Sequence, residues 1–297
     1  MEKRLFYMGM LLLVTFFWGV TFPVVKFALQ FSSPDTFLAL RFLIASAVMG
    51  LFLRRGRKNL NRNTVLHGIM AGFLLFLGYY FQTVGLDYTS AAASGVITGV
   101  YVIILPVLSY VYLSSRISRV DILASLIAFS GLILMSISSG THGTTLLGNL
   151  LTLICGIAYA FQIIYVSKHS SKLDSSAFTF YQLAFVTVFS ALTIPISPGG
   201  IGTVNTDVVL AALFSALVGS VFGYYVSTVA LIYVDASAAG IIFVGEPIFA
   251  ALSSVVLVHE VLSRVVIAGA ILMVIAMFLT TVDKYLREHK RRGKSAL

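Results

Sequence analysis

Long apolar stretches recur along the whole chain, separated by short polar connections. The hydrocarbon core of a bilayer is about 30 Å thick, so a helix of about 20 apolar residues can cross it. None of the connections is long enough to form a soluble domain. The pattern predicts an all-α polytopic membrane protein with ten transmembrane helices around a central cavity, at approximately residues 7–29, 36–53, 65–86, 91–113, 120–138, 147–167, 175–195, 207–229, 236–258 and 264–283.

One of these stretches, residues 240–256, carries Glu246 and Pro247 near its middle. A carboxyl group at bilayer depth costs about 2.5–3.5 kcal/mol on insertion scales, so we expect it to face a protein interior or a watery cavity. The proline removes a backbone donor and clashes with the carbonyl four residues earlier, which predicts a kink. Such a break is tolerated in a membrane only where neighbouring helices or a lumen satisfy the backbone. The stretch therefore indicates a bundle with a polar interior.

Two segments of the chain are related by an internal repeat. Gly78–Tyr88 and Gly223–Tyr233 are identical at seven of eleven positions, at an offset of 145 residues. The same offset relates Ser118–Val120 to Ser263–Val265. Self-similarity over such a distance indicates that the chain consists of two related halves.

Each half holds five predicted spans, so the second half must cross the membrane in the opposite sense to the first. Inverted repeats are common in secondary transporters, whose binding sites lie near the midplane between the halves. The segment before Pro106 is four residues, about one helical turn, longer than the segment before Pro247. The predicted parts are residues 1–140 for the first repeat, 141–283 for the second, inverted repeat, and 284–297 for a basic cytoplasmic tail.

The composition and the charge distribution agree with this pattern. Hydrophobic residues make up 59% of the chain and charged residues only 10%, against about 25% charged in soluble domains. If the N-terminus is cytoplasmic, 17 of the 20 Lys and Arg lie in inner connections or the C-terminal end, and the outer connections hold only Arg264. This asymmetry predicts a multi-pass protein of the cell membrane with both termini cytoplasmic. It also explains the net charge of +9 without a nucleic-acid partner.

Polar and aromatic residues inside the spans are the candidates for a substrate-binding site. Arg41 lies deep in its span, where an unpaired guanidinium is costly. Lys26 lies about one turn from a span end, so snorkelling to the interface is an equal alternative. Adjacent tyrosines on a helix cannot both face one lumen, so we expect one of each pair to do so. The candidates are Glu246, Arg41, Trp18, Lys26, Tyr79, Tyr80, Tyr101, Tyr159, Gln162, Tyr224 and Tyr225.

The sequence offers little support for an enzyme. The five histidines lie at span ends or in connections without metal-ligand spacing, and Glu246 is the only acid well inside a span. Catalysis needs convergent acids, histidines or a nucleophile with its base. A single cysteine, Cys155, excludes an intrachain disulfide. We therefore predict no catalytic residue, no metal and no cofactor, and the pattern is compatible with a monomer. A channel-like facilitator and an integral membrane enzyme remain the alternatives to a carrier.

Several motifs resemble the EamA-type branch of the drug/metabolite transporter superfamily. They are Phe17–Phe22 in the first span and Glu246–Ala251 with the following Glu260 in the ninth. Thr98–Pro106 is similar to a variant that recurs in the family's fourth span. The chain departs from the family pattern at Ser114–Arg116, where relatives often carry a Gly-Glu pair.

The resemblance covers nearly the whole chain. It implies a ten-span secondary active transporter that works by alternating access. Its substrates would be small metabolites, often amino acids or related polar and zwitterionic compounds, and export is the frequent direction in the family. The family motifs do not specify which substrate is carried.

Overall fold

A computed structural model describes residues 2–56, 62–89, 91–114, 117–138, 145–197, 200–258 and 263–295, and within these ranges the chain is helical without strands. The first half contains α1 (Glu2–Ala28), α2 (Pro34–Gly56), α3 (Arg62–Asp87), α4 (Ala91–Thr98), α5 (Tyr101–Leu113) and α6 (Arg119–Ser138). The second half contains α7 (Leu146–His169), α8 (Ser175–Thr193), α9 (Thr206–Phe214), α10 (Gly223–Tyr233), α11 (Ala236–Phe243), α12 (Gly245–Val258) and α13 (Arg264–Ser295). A π-helix, Ser215–Phe222, joins α9 to α10.

The prediction of an all-α polytopic membrane protein is confirmed. Within the described ranges, nine helical segments are long and apolar enough to cross a membrane. Helix α6, with 20 residues, occupies the predicted fifth span and packs along α13. Large apolar side chains such as Phe52, Ile196 and Phe278 are 58%, 78% and 68% exposed, as expected where the outer surface faces lipid.

The first helices of the two halves run in opposite directions. Lys26, near the end of α1, donates a hydrogen bond to the carbonyl of Leu86 at the end of α3. Thr145, which caps the start of α7, donates its N–H to the carbonyl of Tyr88, just beyond α3. The end of α1 and the start of α7 therefore lie at the same face of the bundle, as an inverted repeat requires.

The fourth and ninth spans are each broken into two helices. Helix α4 ends at Thr98 and α5 begins at Tyr101, while α11 ends at Phe243 and α12 begins at Gly245. At the offset of 145 residues, Tyr101 corresponds to Glu246, so both halves break at equivalent positions.

The two breaks have different local causes. Pro247 has no N–H to donate to the carbonyl of Phe243, so α11 cannot continue through it. In the first half, Gly99 and Val100 donate their N–H groups to carbonyls three residues back, in a tight 3₁₀-type turn. Pro106 lies inside α5, where the helix continues. The extra turn noted in the sequence therefore follows the break in the first half.

Some predicted features fall outside the described residues or lack a clear boundary. The described ranges do not include Ser115, Arg116, His259 and Glu260. The departure from the family pattern at Ser114–Arg116 therefore lies mostly outside the described residues. Helix α13 continues without interruption into residues 284–295, which the sequence assigned to a separate basic tail.

Candidate functional site

A cavity lies at the centre of the bundle, between the two repeats. Its free volume is about 30 Å³, which is room for one or two water molecules. The side chains around it come from helices of both halves. They are Trp18, Thr21, Tyr79, Gln82, Tyr101, Tyr159, Gln162, Ile163, Tyr224, Phe243 and Glu246.

Glu246 lies in the first turn of α12, directly after the break in the ninth span. Its side chain is 7% exposed, and the Tyr101 hydroxyl donates a long hydrogen bond of 3.5 Å to Oε2. Among the described residues, no cation forms an ion pair with this carboxylate. A helix N-terminus carries partial positive charge, so the position itself favours a carboxylate.

Trp18 is fixed against the second half of the chain. Its indole Nε1 donates to the carbonyl of Gly219 at 2.8 Å. The ring packs against Tyr224 and Phe243, with centroid distances of 5.4 and 5.1 Å. A Cβ atom on Gly223 would lie 2.5 Å from the indole nitrogen, so this packing requires glycine there.

A second group of polar side chains continues the wall of the cavity. The Tyr79 ring contacts those of Tyr159 and Tyr224 edge-on, at 5.6 and 5.9 Å. The Tyr159 hydroxyl donates to Gln82, whose amide donates in turn to Thr98, each at 3.3 Å. These bonds fix the orientation of the Tyr159 ring at the free space.

Arg41 lies beside the cavity and is not part of its lining. Its Nε donates to Ser220 at 2.9 Å and its Nη2 donates to the Tyr79 hydroxyl at 3.1 Å. The guanidinium also lies 4.7 Å from the centre of the Tyr79 ring and is 3% exposed. The cation is thus engaged by buried groups of α3 and the π-helix.

Three other candidates from the sequence lie away from the cavity. Lys26 donates to the carbonyls of Leu86 and Asp87 at the end of α3, at 2.6 and 3.3 Å. Tyr80 packs on neighbouring rings of its own helix, and Tyr225 is 40% exposed on the outer surface. In each tyrosine pair, the first member lines the cavity and the second does not.

Four of the lining residues were not among the candidates predicted from the sequence: Thr21, Gln82, Ile163 and Phe243. Gln82 lies one turn beyond Tyr79 and Thr21 one turn beyond Trp18, so helical spacing from those candidates would have found them. Among the described residues, no group of three or more His, Cys, Asp or Glu side chains is placed to hold a metal ion.

The chain is similar to known membrane proteins over nearly its whole length. The model of the EamA-like transporter family matches residues 5–137 and again residues 146–282. An uncharacterized transporter of Archaeoglobus fulgidus is 32% identical over 94% of this chain and 87% of its own length. The uncharacterized transporter YcxC of Bacillus subtilis is 25% identical over 96% and 95%. A solved crystal structure, 17% identical, superposes with a TM-score of 0.75 over 92% of this chain and 95% of that one, which shows a shared fold.

Eight of the eleven lining residues fall into pairs that are separated by the offsets of 141 or 145 residues between the two halves. The two stretches that match the family model begin at residues 5 and 146, an offset of 141. At that offset Trp18 pairs with Tyr159 and Thr21 with Gln162, and all four line the cavity. At the offset of 145 found further along, the pairs in the lining are Tyr79 with Tyr224 and Tyr101 with Glu246.

Proposed function

The chain belongs to the EamA-like transporter family, and on that premise we propose that it is a secondary active transporter of small polar metabolites. It would move an amino acid or a related polar or zwitterionic compound across the cell membrane by alternating access. The substrate would bind in the cavity between the repeats. Export is the direction implied by the family resemblance.

The observation that carries this proposal is the pair of broken helices at the cavity. Helices α4/α5 and α11/α12 are interrupted at equivalent positions, and the residues Tyr101 and Glu246 next to the breaks meet each other. Discontinuous helices that meet between inverted repeats are a recurrent way to build a transporter binding site. A buried carboxylate at membrane depth is also a functional feature by default.

The cavity of about 30 Å³ supports a mechanism that requires movement of the repeats. A metabolite larger than one or two water molecules can enter only if helices separate at one face. Rocking of one repeat against the other around a fixed site would open the two faces in turn.

Flux into proteoliposomes tests the proposal. A carrier shows saturable uptake and counterflow of a labelled amino acid mixture, whereas a channel shows neither. We expect Glu246→Gln to abolish most of the counterflow and Asp207→Asn, an exposed acid of α9, to leave it unchanged. Flux that rises linearly with concentration would favour the channel alternative. Wild-type counterflow in Glu246→Gln would overturn the role of the cavity.

The orientation of the chain in the membrane can be tested separately. A reporter that is active only in the cytoplasm, fused to Leu297, should be active if both termini are inside. A fully expressed but inactive fusion would reverse the proposed topology.

A further inference from the structure

We propose that the cavity binds the primary ammonium group of the substrate, between the Glu246 carboxylate and the surrounding aromatic rings, and does not recognise a substrate carboxylate. This inference rests on the proposed function and names its substrate class: primary amines, with amino acids accepted through their amino group. Three features of the cavity point to it.

The first feature is the charge of the lining. Glu246 is the only formally charged residue among the described side chains around the cavity. Arg41, the nearest candidate for a carboxylate receptor, already donates to Ser220 and Tyr79 and is covered by the Tyr79 ring. Arg41 is also absent from the lining, so an anionic group in the cavity would meet a carboxylate and no cation among the described lining residues. A cationic group would gain an ion pair.

The second feature is the aromatic wall. Six of the eleven lining residues carry aromatic rings, and Trp18 and Phe243 lie side by side with a centroid distance of 5.1 Å. The Tyr101 ring meets Phe243 edge-on at 6.5 Å and carries the hydroxyl that bonds to Glu246. Ring faces attract cations, and this attraction is strongest where water is excluded. The same faces are unfavourable for anions.

The third feature selects a primary over a quaternary ammonium group. The cavity offers hydrogen-bond acceptors at Glu246, at tyrosine hydroxyls and at the Gln162 amide, whose nitrogen donates to Gln182. A primary ammonium group has three donors for these acceptors, and a quaternary group has none. The free volume of about 30 Å³ is also of the size of one such group.

A different result is expected if Glu246 binds the ammonium group and Arg41 binds the carboxylate of a zwitterionic substrate. Such a site would bind an amino acid more tightly than the amine that lacks the carboxylate. If the cavity binds only the ammonium group, the amine must bind at least as tightly as the amino acid, because the substrate carboxylate gains no partner and approaches Glu246.

The experiment compares matched compounds on the full-length protein in detergent. For the leucine skeleton the amine is 3-methylbutylamine, the amino acid is leucine, the acetamide is N-(3-methylbutyl)acetamide and the carboxylate is 4-methylpentanoate. The corresponding four compounds with a phenylethyl skeleton form a second set. A ligand that binds the native state raises the thermal unfolding midpoint. We expect the amines to raise it most, the amino acids equally or less, and the acetamides and carboxylates not at all. The trimethylammonium analogue of each amine should bind at least tenfold more weakly.

Substitutions in the cavity then show which side chains bind the amine. Glu246→Gln should weaken amine binding at least about tenfold, as expected for loss of a hydrogen bond to a charged group. Phe243→Leu should weaken it between about twofold and about thirtyfold, the range expected for cation–π contacts from exposed to water-excluded sites. The matched controls are Asp207→Asn, an exposed acid, and Phe278→Leu, an exposed ring, and both should bind amines like the wild type. If Glu246→Gln does not fold, the comparison of compounds on the wild type and on the Phe243→Leu variant still tests whether the cavity binds the ammonium group.

The outcomes separate this inference from the proposed function. Stabilisation by the carboxylates or acetamides equal to that by the amines would overturn the inference, as would amino acids that bind more tightly than the matching amines. So would a complete lack of stabilisation by any compound of the two sets. In each case, saturable counterflow of any other metabolite would leave the proposed transport function standing.

Discussion

The start of α1 and the start of α7 each hold one repeat against the other, at opposite faces of the bundle. At one face, Arg4 of α1 forms an ion pair of 2.5 Å with Asp235, between α10 and α11. At the other face, Thr145 donates both its N–H and its hydroxyl to the carbonyl of Tyr88, between α3 and α4. Both contacts are made by the start of a repeat's first helix, which meets the chain between two helices of the other repeat. We refer to them as the α1 contact and the α7 contact.

The two contacts share a geometry and differ in chemistry. In the α1 contact, Tyr7 stacks on Tyr233 with ring centroids 4.7 Å apart and planes 2° apart. In the α7 contact, the position of Tyr7 is taken by Gly148, which lies directly against the backbone of Tyr88, the equivalent of Tyr233. The α1 contact therefore depends on side-chain charge and rings. The α7 contact depends on close backbone approach.

The difference teaches that the two faces respond to different perturbations. Exposed or half-exposed ion pairs weaken as salt rises. Neutral hydrogen bonds to backbone carbonyls are nearly insensitive to salt. Under the proposed function, opening either face requires breaking the contact there. The free energy of breaking the α1 contact should therefore depend on ionic strength, and that of breaking the α7 contact should not.

The largest effect is expected from adding one methyl group to the α7 contact. In Gly148→Ala the new Cβ would lie 2.8–2.9 Å from the backbone carbonyl atoms of Tyr88 and cannot be accommodated without a backbone shift. Overpacking of this kind costs about 1–3 kcal/mol of the free energy of unfolding. The thermal midpoint in detergent measures it.

Gly9→Ala is the matched control, because a Cβ on this glycine of α1 would meet no atom within 4 Å. Its midpoint should equal or slightly exceed that of the wild type, since alanine favours the helix. Equal midpoints for the two alanine variants would show that the α7 contact does not depend on close backbone approach.

A smaller effect is expected from breaking the ion pair of the α1 contact. Asp235→Asn removes the charge but keeps an oxygen that can cap α11, where Asp235 now accepts the N–H of Ala238. We expect a loss of about 0.5–1 kcal/mol at low salt that disappears as salt rises. A double-mutant cycle with Arg4→Gln isolates the coupling between the two residues. A coupling energy that is unchanged at high salt would contradict this description of the contact.

A neutral hydrogen bond beside the α7 contact, between the chain neighbours of Tyr88 and Gly148, should give a comparable loss of unfolding free energy without salt dependence. The Thr89 hydroxyl donates to the Asn149 side chain at 3.0 Å. Thr89→Val removes this bond with little change in shape, at a cost of about 0.5–1.5 kcal/mol. Thermal midpoints at low and high salt, relative to the wild type under each condition, should show the same difference. A loss that shrinks with salt would remove the distinction between the contacts.

The smallest effect is expected outside both contacts. Deletion of residues 287–297 removes the basic end of α13, which we expect to be attracted to the inner leaflet at about 1 kcal/mol per cation near the surface. Proteoliposome counterflow should remain largely intact in the truncated protein. Loss of flux in a well-folded truncation would assign this end of the chain a direct role in transport.

The sequence predicted much of the architecture because the bilayer imposes simple rules on it. Span lengths follow from the thickness of the hydrocarbon core, and the repeat is visible in residues 78–88 and 223–233. The break next to Glu246 follows from the missing N–H of Pro247. These features depend on local composition and chain chemistry, so the sequence alone sufficed for the helices, the repeats and the interruption of the ninth span.

The arrangement of the cavity was decided by the tertiary structure. A membrane helix is apolar towards lipid and towards its neighbours alike, so hydrophobic periodicity does not reveal how it is rotated. Packing against other helices turned Tyr79 inward and Tyr80 away, and it placed Arg41 behind the Tyr79 ring. Close contacts at glycines, such as Gly78 of α3 beside the Tyr159 ring and Gly219 beside the Arg41 guanidinium, are part of this packing. The sequence determined which residues could form a site, and helix packing determined which of them do.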